Sequence, residues 1–237
     1  MPAMRSFQEA WAAVAGIDGW LTEGQARMLY EAAAGAPSGT AIVEIGSHHG
    51  RSTVILGSAA GEGVQLVAVD PFEDVRWGGG TPALDVFKES LAGNGLESVT
   101  LMRAYGAAAG REWRGPPVSV LFVDGAHDYE SVCADLRAWL PHLSESATVL
   151  MHDAYSSPGV TRAAFRVMFA SPDFSYTGAS RSLARFQRGR GSSLAGRAGM
   201  VAKLPWFARN LLVKVASRRG WTPLVRLLGH TQDGFPY

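Results

Sequence analysis

Two clusters of acidic residues and histidines could carry chemistry, because each directly follows an apolar run that is typical of a buried strand. The first cluster contains Asp124 and His127, and the second contains His152 and Asp153. Neighbouring parallel strands end at the same edge of a sheet, where open α/β sheets bind ligands. We therefore expect these four side chains to face one small volume.

Such a cluster can do two kinds of work. Carboxylate oxygens can hold a hard divalent cation, and a histidine or carboxylate can act as a general base towards a hydroxyl. Two nearby acids, Asp128 and Glu130, have a simpler explanation, since acidic residues stabilise the N-terminus of the helix that follows them.

A glycine-rich turn follows an earlier apolar run and reads Glu44-Ile45-Gly46-Ser47-His48-His49-Gly50-Arg51-Ser52-Thr53. Glycines allow a tight turn and the close approach of a ligand to peptide groups. The helix that begins near Ser52 points unpaired N–H groups into the turn. Twenty residues beyond Gly50, Asp70 ends the next apolar run, where a carboxylate can accept hydrogen bonds from both ribose hydroxyls.

The turn favours S-adenosylmethionine over a dinucleotide. Dinucleotide-binding turns carry three glycines at fixed spacing and no acid directly before them. This turn has Gly46 and Gly50, preceded by Glu44, which would repel a pyrophosphate but could orient a cationic amino-acid end. An ordinary strand-to-helix turn with incidental glycines is the alternative, and the position of Asp70 argues against it.

Short apolar runs alternate with helical patterns, which predicts a doubly wound, Rossmann-like α/β sheet of seven strands with the last antiparallel. Strands are predicted at residues 41–45, 65–69, 99–102, 118–123 and 147–151, with a closing hairpin at 174–178 and 182–187. Helices are predicted at residues 52–60, 85–92, 129–140, 204–218 and 221–228.

The chain divides into an N-terminal helical cap (1–38, with a break at 16–21), a core (39–188) and a basic helical extension (189–237). The extension is predicted to begin with a mobile linker, 189–199, rich in Gly, Arg and Ser. Residues 1–173 hold 11 Lys and Arg against 20 Asp and Glu, whereas residues 174–237 hold 11 against Asp233 alone. This asymmetry indicates different partners for the two regions, or a tail that folds against the acidic body or a second subunit.

Packing of the tail against the body or in a homodimer is favoured over contact of residues 204–214 with a membrane surface. Nucleic-acid binding is not expected, since the tail has no evident recognition fold. The single cysteine, Cys133, excludes an internal disulfide framework. With no signal-peptide pattern and no run long enough to span a membrane, we expect a cytoplasmic protein.

Four segments together resemble the class I S-adenosylmethionine-dependent methyltransferases, particularly bacterial metal-assisted O-methyltransferases of sugars and small molecules; they are residues 43–52, 67–72, 122–130 and 150–153. The resemblance covers about residues 15–187 and implies that Glu44 and Gly46 contact the methionine part, Asp70 the ribose, and Ala104 and Tyr105 the adenine. The full expected cofactor-binding set is Glu44, Gly46, Ser47, Gly50, Ser52, Asp70, Pro71, Ala104, Tyr105 and Asp124.

The resemblance also implies a divalent metal, expected to be Mg²⁺, at Asp124, His152 and Asp153. Relatives with a firm metal site often carry two adjacent carboxylates after the fifth strand, whereas here the first of that pair is His152. Either His152 is a ligand, or the metal binds weakly, or a histidine acts as base without metal. As catalytic residues we name Asp124 with His127 as the first candidate for the base and His152 as the second.

The chain also resembles actinobacterial sugar methyltransferases in its adjacent His48 and His49 and in its basic tail. These enzymes include those that cap the reducing-end hydroxyl of methylmannose oligosaccharides. The implied acceptor is a hydroxyl of a sugar or oligosaccharide, such as the 1-hydroxyl of a methylated mannoside. Another small-molecule hydroxyl, a non-catalytic S-adenosylmethionine-binding module and a nicotinamide-dependent oxidoreductase stay open as alternatives. Trp77, beside three glycines in the loop 73–82, suits a lid that stacks on a sugar or an ordinary surface loop.

Overall fold

The structure is a computed structural model that describes residues 4–73, 81–189, 191 and 193–229. Trp77 and the glycines that follow it, which we considered as a lid, lie outside the described residues.

One sheet of seven strands organises the chain: β1 (Ala41–Ile45), β2 (Gln65–Val69), β3 (Thr100–Met102), β4 (Val118–Val123), β5 (Leu143–Met151), β6 (Phe174–Ser180) and β7 (Leu183–Arg188). Their order across the sheet is β3-β2-β1-β4-β5-β7-β6. Strands β1 to β5 pair in parallel, and β7 is antiparallel to both of its neighbours. This confirms the predicted Rossmann-like sheet with an antiparallel last strand.

The helices are α1 (Phe7–Ala13), α2 (Glu23–Ala34), α3 (Arg51–Ala59), α4 (Thr81–Ala92), α5 (Gly106–Glu112), α6 (Tyr129–Trp139), α7 (Pro158–Ala163), α8 (Leu194–Val201), α9 (Leu204–Arg218) and α10 (Thr222–Leu227). Two apolar clusters cover the two faces of the sheet, one built with α1 to α4 and the other with α5 to α8. Because successive strand residues point to opposite faces, Ile42 enters the first cluster and Val43 the second.

Helices α5, α7 and α8 were not predicted, and α8 makes the predicted linker 189–199 wrong over part of its length. Helix α5 is rich in Ala and Gly and lacks an apolar period; the indole of Trp139, which donates to the carbonyl of Gly106 (2.8 Å), holds its start against α6. Helix α7 begins at Pro158, directly after its N-cap residue Ser157. The predicted linker 189–199 becomes helical at Leu194, because Met200 of α8 is fully buried in the second apolar cluster.

The basic extension folds against the body, which was one of the predicted alternatives for the tail. Helix α9 buries Asn210, Val213 and Ala216 at helical spacing. The side-chain amide of Asn210 donates to the carbonyl of Tyr155 (2.9 Å), and the ammonium of Lys214 donates to the carbonyl of Ser156 (2.6 Å). None of the helices in the described ranges is long and apolar enough to cross a membrane.

The turns after β1 and β4 meet where the sheet order reverses direction. The amide of Asp124 donates to the carbonyl of Ile45 (2.8 Å), which brings the two turns into contact. Gly46 has a φ of 88°, and a Cβ built on it would lie 2.3 Å from the carbonyl oxygen of Asp124. Only glycine fits this position, because any side chain would overlap the neighbouring backbone.

Changing Gly46 to Ala should therefore destabilise the fold more than a positive φ alone explains. Gly39 is a matched control, since it has a φ of 79° and a Cβ added to it would have no atom within 4 Å. We expect Gly39→Ala to cost about 1–2 kcal/mol of unfolding free energy and Gly46→Ala more than about 4 kcal/mol, the range of severe core defects. Urea unfolding measures both, and equal losses would contradict the close contact.

Candidate active site

Glu44 lies at the end of β1 on the face that α3 covers, and its side chain is fully buried. One carboxylate oxygen accepts a hydrogen bond from the hydroxyl of Thr53 on α3, while the other, Oε1, has no partner among the described residues. Burial raises the pKa of Glu44 to about 7, although nearby hydroxyls act in the opposite direction. A direct contact with a ligand stays a prediction, because the carboxylate lies beneath the turn.

Asp70 organises the glycine-rich turn from the end of β2. One oxygen accepts from the backbone amides of Ser47 and His48 (2.9 Å each), and the other accepts from the amide of Phe72 (2.7 Å). A carboxylate can accept about four hydrogen bonds, so these three leave room for a further donor such as a ribose hydroxyl. The predicted ribose contact is compatible with this geometry and stays a prediction.

The turn itself offers polar atoms to a ligand. The hydroxyl of Ser47 and Nδ1 of His49 are buried without a hydrogen-bond partner in the part of the chain that the structure describes. Gly50 is the N-cap residue of α3 and has a left-handed conformation. It has no side chain that could cap the first backbone amides of the helix, including that of Ser52. Unsatisfied polar groups beside an uncapped helix N-terminus fit the carboxylate and ammonium of an amino-acid ligand.

The predicted adenine residues, Ala104 and Tyr105, follow β3, which is the neighbour of β2 in the sheet. The hydroxyl of Tyr105 donates to Glu73 (3.0 Å), a bond that connects the two strand ends. The side chain of Tyr105 is 64% exposed, and Ala104 and Pro71 are partly exposed beside it. The predicted contact of Ala104 and Tyr105 with the adenine stays a prediction.

The second cluster forms at the ends of β4 and β5, as predicted. Nδ1 of His152 lies 3.0 Å from Oδ1 of Asp124 and 3.7 Å from Oδ1 of Asp153, and Nε2 of His127 lies 3.5 Å from Oδ2 of Asp153. Burial would raise the pKa of Asp124, but the charge of His152 and hydrogen bonds from both histidines lower it to about 2. Asp124 is therefore an ionised carboxylate that both histidines share.

The two histidines differ in access. Burial would lower the pKa of His152, but the charges of Asp124 and Asp153 raise it to about 9, and its side chain is only 6% exposed. The side chain of His127 is 42% exposed, and its hydrogen bond with Asp124 raises its pKa above the ordinary value. Of the two candidate bases, only His127 has an accessible ring.

Helix α7 fixes the backbone beneath His127. A Cβ on Gly159 would lie 2.3 Å from the carbonyl oxygen of His127, and the hydroxyl of Ser157 donates to that same oxygen (3.1 Å). On the other side, Asp128 begins α6 and accepts from the amide of Ser131 (2.9 Å), which confirms the helix-capping explanation for this acid. His127 is thus held between the starts of two helices.

Sequence reasoning missed one residue of the site, Gln25 of α2. Its amide nitrogen lies 3.3 Å from Nε2 of His152 and 3.2 Å from the hydroxyl of Ser182, and its side chain is 2% exposed. Its carbonyl oxygen accepts from the backbone and hydroxyl of Thr22 (2.9 Å each). The Thr-x-x-Gln capping pattern could have been found in the sequence, but nothing there shows that this glutamine reaches a histidine 127 residues away.

The predicted metal ligands are engaged with one another. Within the described ranges, no group of three or more His, Cys, Asp or Glu side chains is arranged to hold a metal ion. Asp124 faces His152, and Asp153 accepts from the hydroxyl of Ser156 and faces His127. As arranged, Asp124, His152 and Asp153 do not fit a magnesium ion.

Residues 43–154 match the family model of a methyltransferase domain. The match begins within β1 and ends just after Asp153, so it contains the glycine-rich turn and both clusters. A curated relative, the uncharacterized protein y4gI of Sinorhizobium fredii, is 31% identical over 117 residues, which are 47% of this chain and 13% of that protein. The chain therefore spans only a small part of that relative's length.

Several solved structures share the fold, and some of them are methyltransferases by their descriptions. A cofactor-bound structure of Rv0187 from MTB matches 78% of this chain and 88% of its own (TM-score 0.57, 17% identity). An O-methyltransferase from Bacillus cereus in complex with SAH matches 79% and 90% (0.55, 16%). The TDP-rhamnose 3′-O-methyltransferase of calicheamicin biosynthesis matches 76% and 92% (0.54, 16%). At these identities the likeness is one of fold.

The raised pKa of Glu44 predicts a pH-dependent cost to stability. Below about pH 4.5, its ordinary pKa, the carboxyl is protonated in both folded and unfolded chains; above pH 7 the fold must bury it ionised. Relative to wild type, Glu44→Gln should therefore gain about 3 kcal/mol of unfolding free energy between pH 4 and pH 8. The same change should weaken binding of S-adenosylhomocysteine.

Urea unfolding at several pH values and calorimetric titration measure the two effects. Glu62→Gln, at an exposed glutamate, is the control and should change neither quantity. A Glu44→Gln protein whose stability difference from wild type stays constant with pH would contradict the buried, strained carboxyl.

Proposed function

We propose that this chain is an S-adenosylmethionine-dependent O-methyltransferase that acts on a hydroxyl of a sugar or oligosaccharide. One observation carries the proposal: Asp124 packs its backbone against Gly46 of the glycine-rich turn and shares its carboxylate with His127. A ligand in the turn therefore lies beside an accessible base. The methyltransferase-domain match over the same residues supports this assignment.

Residues of the turn would hold the cofactor. The uncapped start of α3 and the hydroxyl of Ser47 suit the methionine carboxylate, Glu44 suits the ammonium, and Asp70 suits the ribose. When bound, S-adenosylmethionine supplies a methyl group on a sulfonium, which is already a good leaving group. The chain must therefore align the acceptor hydroxyl and remove its proton.

His127 is the proposed general base. Its ring is accessible, and its contacts with Asp124 and Asp153 orient it and stabilise the protonated form that results from proton transfer. His152 is enclosed and serves to hold the Asp124 carboxylate in place through the 3.0 Å contact. The positive charge of His152 also keeps Asp124 ionised while His127 gains its proton.

A sugar acceptor is favoured by chemistry and by one structural relative. Sugar hydroxyls are weakly acidic, so an enzyme that methylates them needs a well-placed base, and the site provides one. The enzyme of calicheamicin biosynthesis has the same fold. It is a TDP-rhamnose 3′-O-methyltransferase, so it acts on a sugar. The 1-hydroxyl of a methylated mannoside and a homodimeric assembly stay predictions.

We derive no step through a metal, because the predicted ligands are paired with one another. The magnesium prediction is tested in the same assay: activity that survives EDTA supports the histidine route, and activity that returns only on adding Mg²⁺ contradicts it.

His127→Gln should lower kcat by about 10² to 10⁴, the usual contribution of a general base, while S-adenosylhomocysteine binding stays intact. In wild type, activity should rise with pH through a pKa above 6.5, because only the neutral imidazole accepts a proton. The variant should lose this rise. Transfer of labelled methyl from S-adenosylmethionine to a panel of glycosides measures both.

His142→Gln is the control, since the ring of His142 bonds to the carbonyl of Gly110 (2.8 Å) and the residue lies just before β5, at the opposite end of that strand from the cluster. Unchanged kcat in His127→Gln would contradict the proposed base. Normal cofactor binding with no transfer by wild type to any acceptor would support a non-catalytic binding module instead.

A further inference from the structure

The connection between α1 and α2, residues 14–22, forms one wall of the candidate site. It is attached to the cofactor turn through Arg51, whose guanidinium donates to the carbonyl of Ile17 (2.7 Å) and whose side chain packs 3.2 Å from the Cβ position of Gly19. Leu21 anchors it in the core with 7% exposure. The connection is thus fixed on both sides of Trp20.

Trp20 lies between the two halves of the site. Its backbone carbonyl accepts a hydrogen bond from His152, which joins it to the Asp124 cluster. Its ring centroid lies 5.8 Å from that of His48 in the cofactor turn, at an angle of 39°. Trp20 is nevertheless 48% exposed, so part of the residue stays accessible to a ligand.

We propose that the exposed face of Trp20 is the binding surface for the ring of a pyranoside acceptor. This inference rests on the proposed function and names the residue that would select its substrate class. An indole offers a flat apolar face, which suits the C–H face of a sugar ring, and it loses little conformational freedom on binding. The backbone of Trp20 is joined through His152 to the carboxylate of Asp124, and the polar groups of this cluster suit the hydroxyl rim of the same ring.

In this arrangement Trp20 and the base have separate roles. The accessible base, His127, belongs to the cluster that the Trp20 backbone touches through His152. A ring that stacks on the indole would be held without using any of the cluster's own hydrogen bonds, because only the backbone of Trp20 bonds to His152. Trp20 should contribute to acceptor binding and leave proton transfer unchanged.

Trp20→Ala tests the inference. We expect the dissociation constant and KM for methyl pyranosides to rise about tenfold, the scale of one lost aromatic contact, with kcat at saturation and S-adenosylhomocysteine affinity unchanged. Trp20→Phe should restore most of the binding. The dissociation constant is measured by titrating methyl pyranosides into protein saturated with S-adenosylhomocysteine, so this readout does not depend on turnover.

The chain offers a matched control in Trp221, which directly precedes α10, is also 48% exposed and lies beside Arg219 of the extension. Trp221→Ala should change neither constant. Equal glycoside binding by wild type and Trp20→Ala would overturn the inference, as would a loss confined to S-adenosylhomocysteine affinity, or wild type that binds no pyranoside.

The two proposals fail separately. Wild type that binds pyranosides through Trp20 but transfers no methyl group defeats the proposed function and leaves the stacking surface standing. Methyl transfer to pyranosides with a KM that Trp20→Ala does not change defeats the stacking surface and leaves the proposed function standing.

Discussion

The site depends on the close contact between the backbone of Asp124 and the α-carbon of Gly46. Strands β1 and β4 are neighbours, and the amide of Asp124 bonds to the carbonyl of Ile45, so the two turns have no space between them for a side chain. This contact holds a turn suited to an amino-acid ligand next to a carboxylate that orients a base. The proposed cofactor turn and the proposed base are therefore adjacent because a glycine stands where the sheet order reverses direction.

The charged side chains at this contact stabilise one another's ionised states. Asp124 is ionised because two histidines surround it, and His152 is protonated despite its burial because two carboxylates face it. A buried ion pair adds little to stability, and removing one partner leaves the other uncompensated. The extension reaches the same region, since Asn210 and Lys214 bond to carbonyls just beyond Asp153. Such an arrangement is more typical of a functional site than of a stabilising one.

The sequence predicted what local pattern controls. The five parallel strands, the glycine turn and both clusters follow apolar runs, and the structure places them at one edge of the sheet as expected. Contacts between distant segments could not be predicted, because neither a capping Gln25 nor Trp20 carries a signal that it faces His152. Helices α5 and α8 were missed for a related reason. Their Gly-rich sequences do not favour a helix, and they form because α5 packs on α6 and α8 packs on β6.

Calorimetric titration of the protein with S-adenosylhomocysteine, and separately with NADH, tests the central claim most directly, because the claim concerns which ligand the Gly46–Gly50 turn accepts. The account predicts saturable one-to-one binding of S-adenosylhomocysteine and no binding of NADH, whose pyrophosphate would approach the buried Glu44. Absence of S-adenosylhomocysteine binding, or tighter binding of NADH, would contradict it.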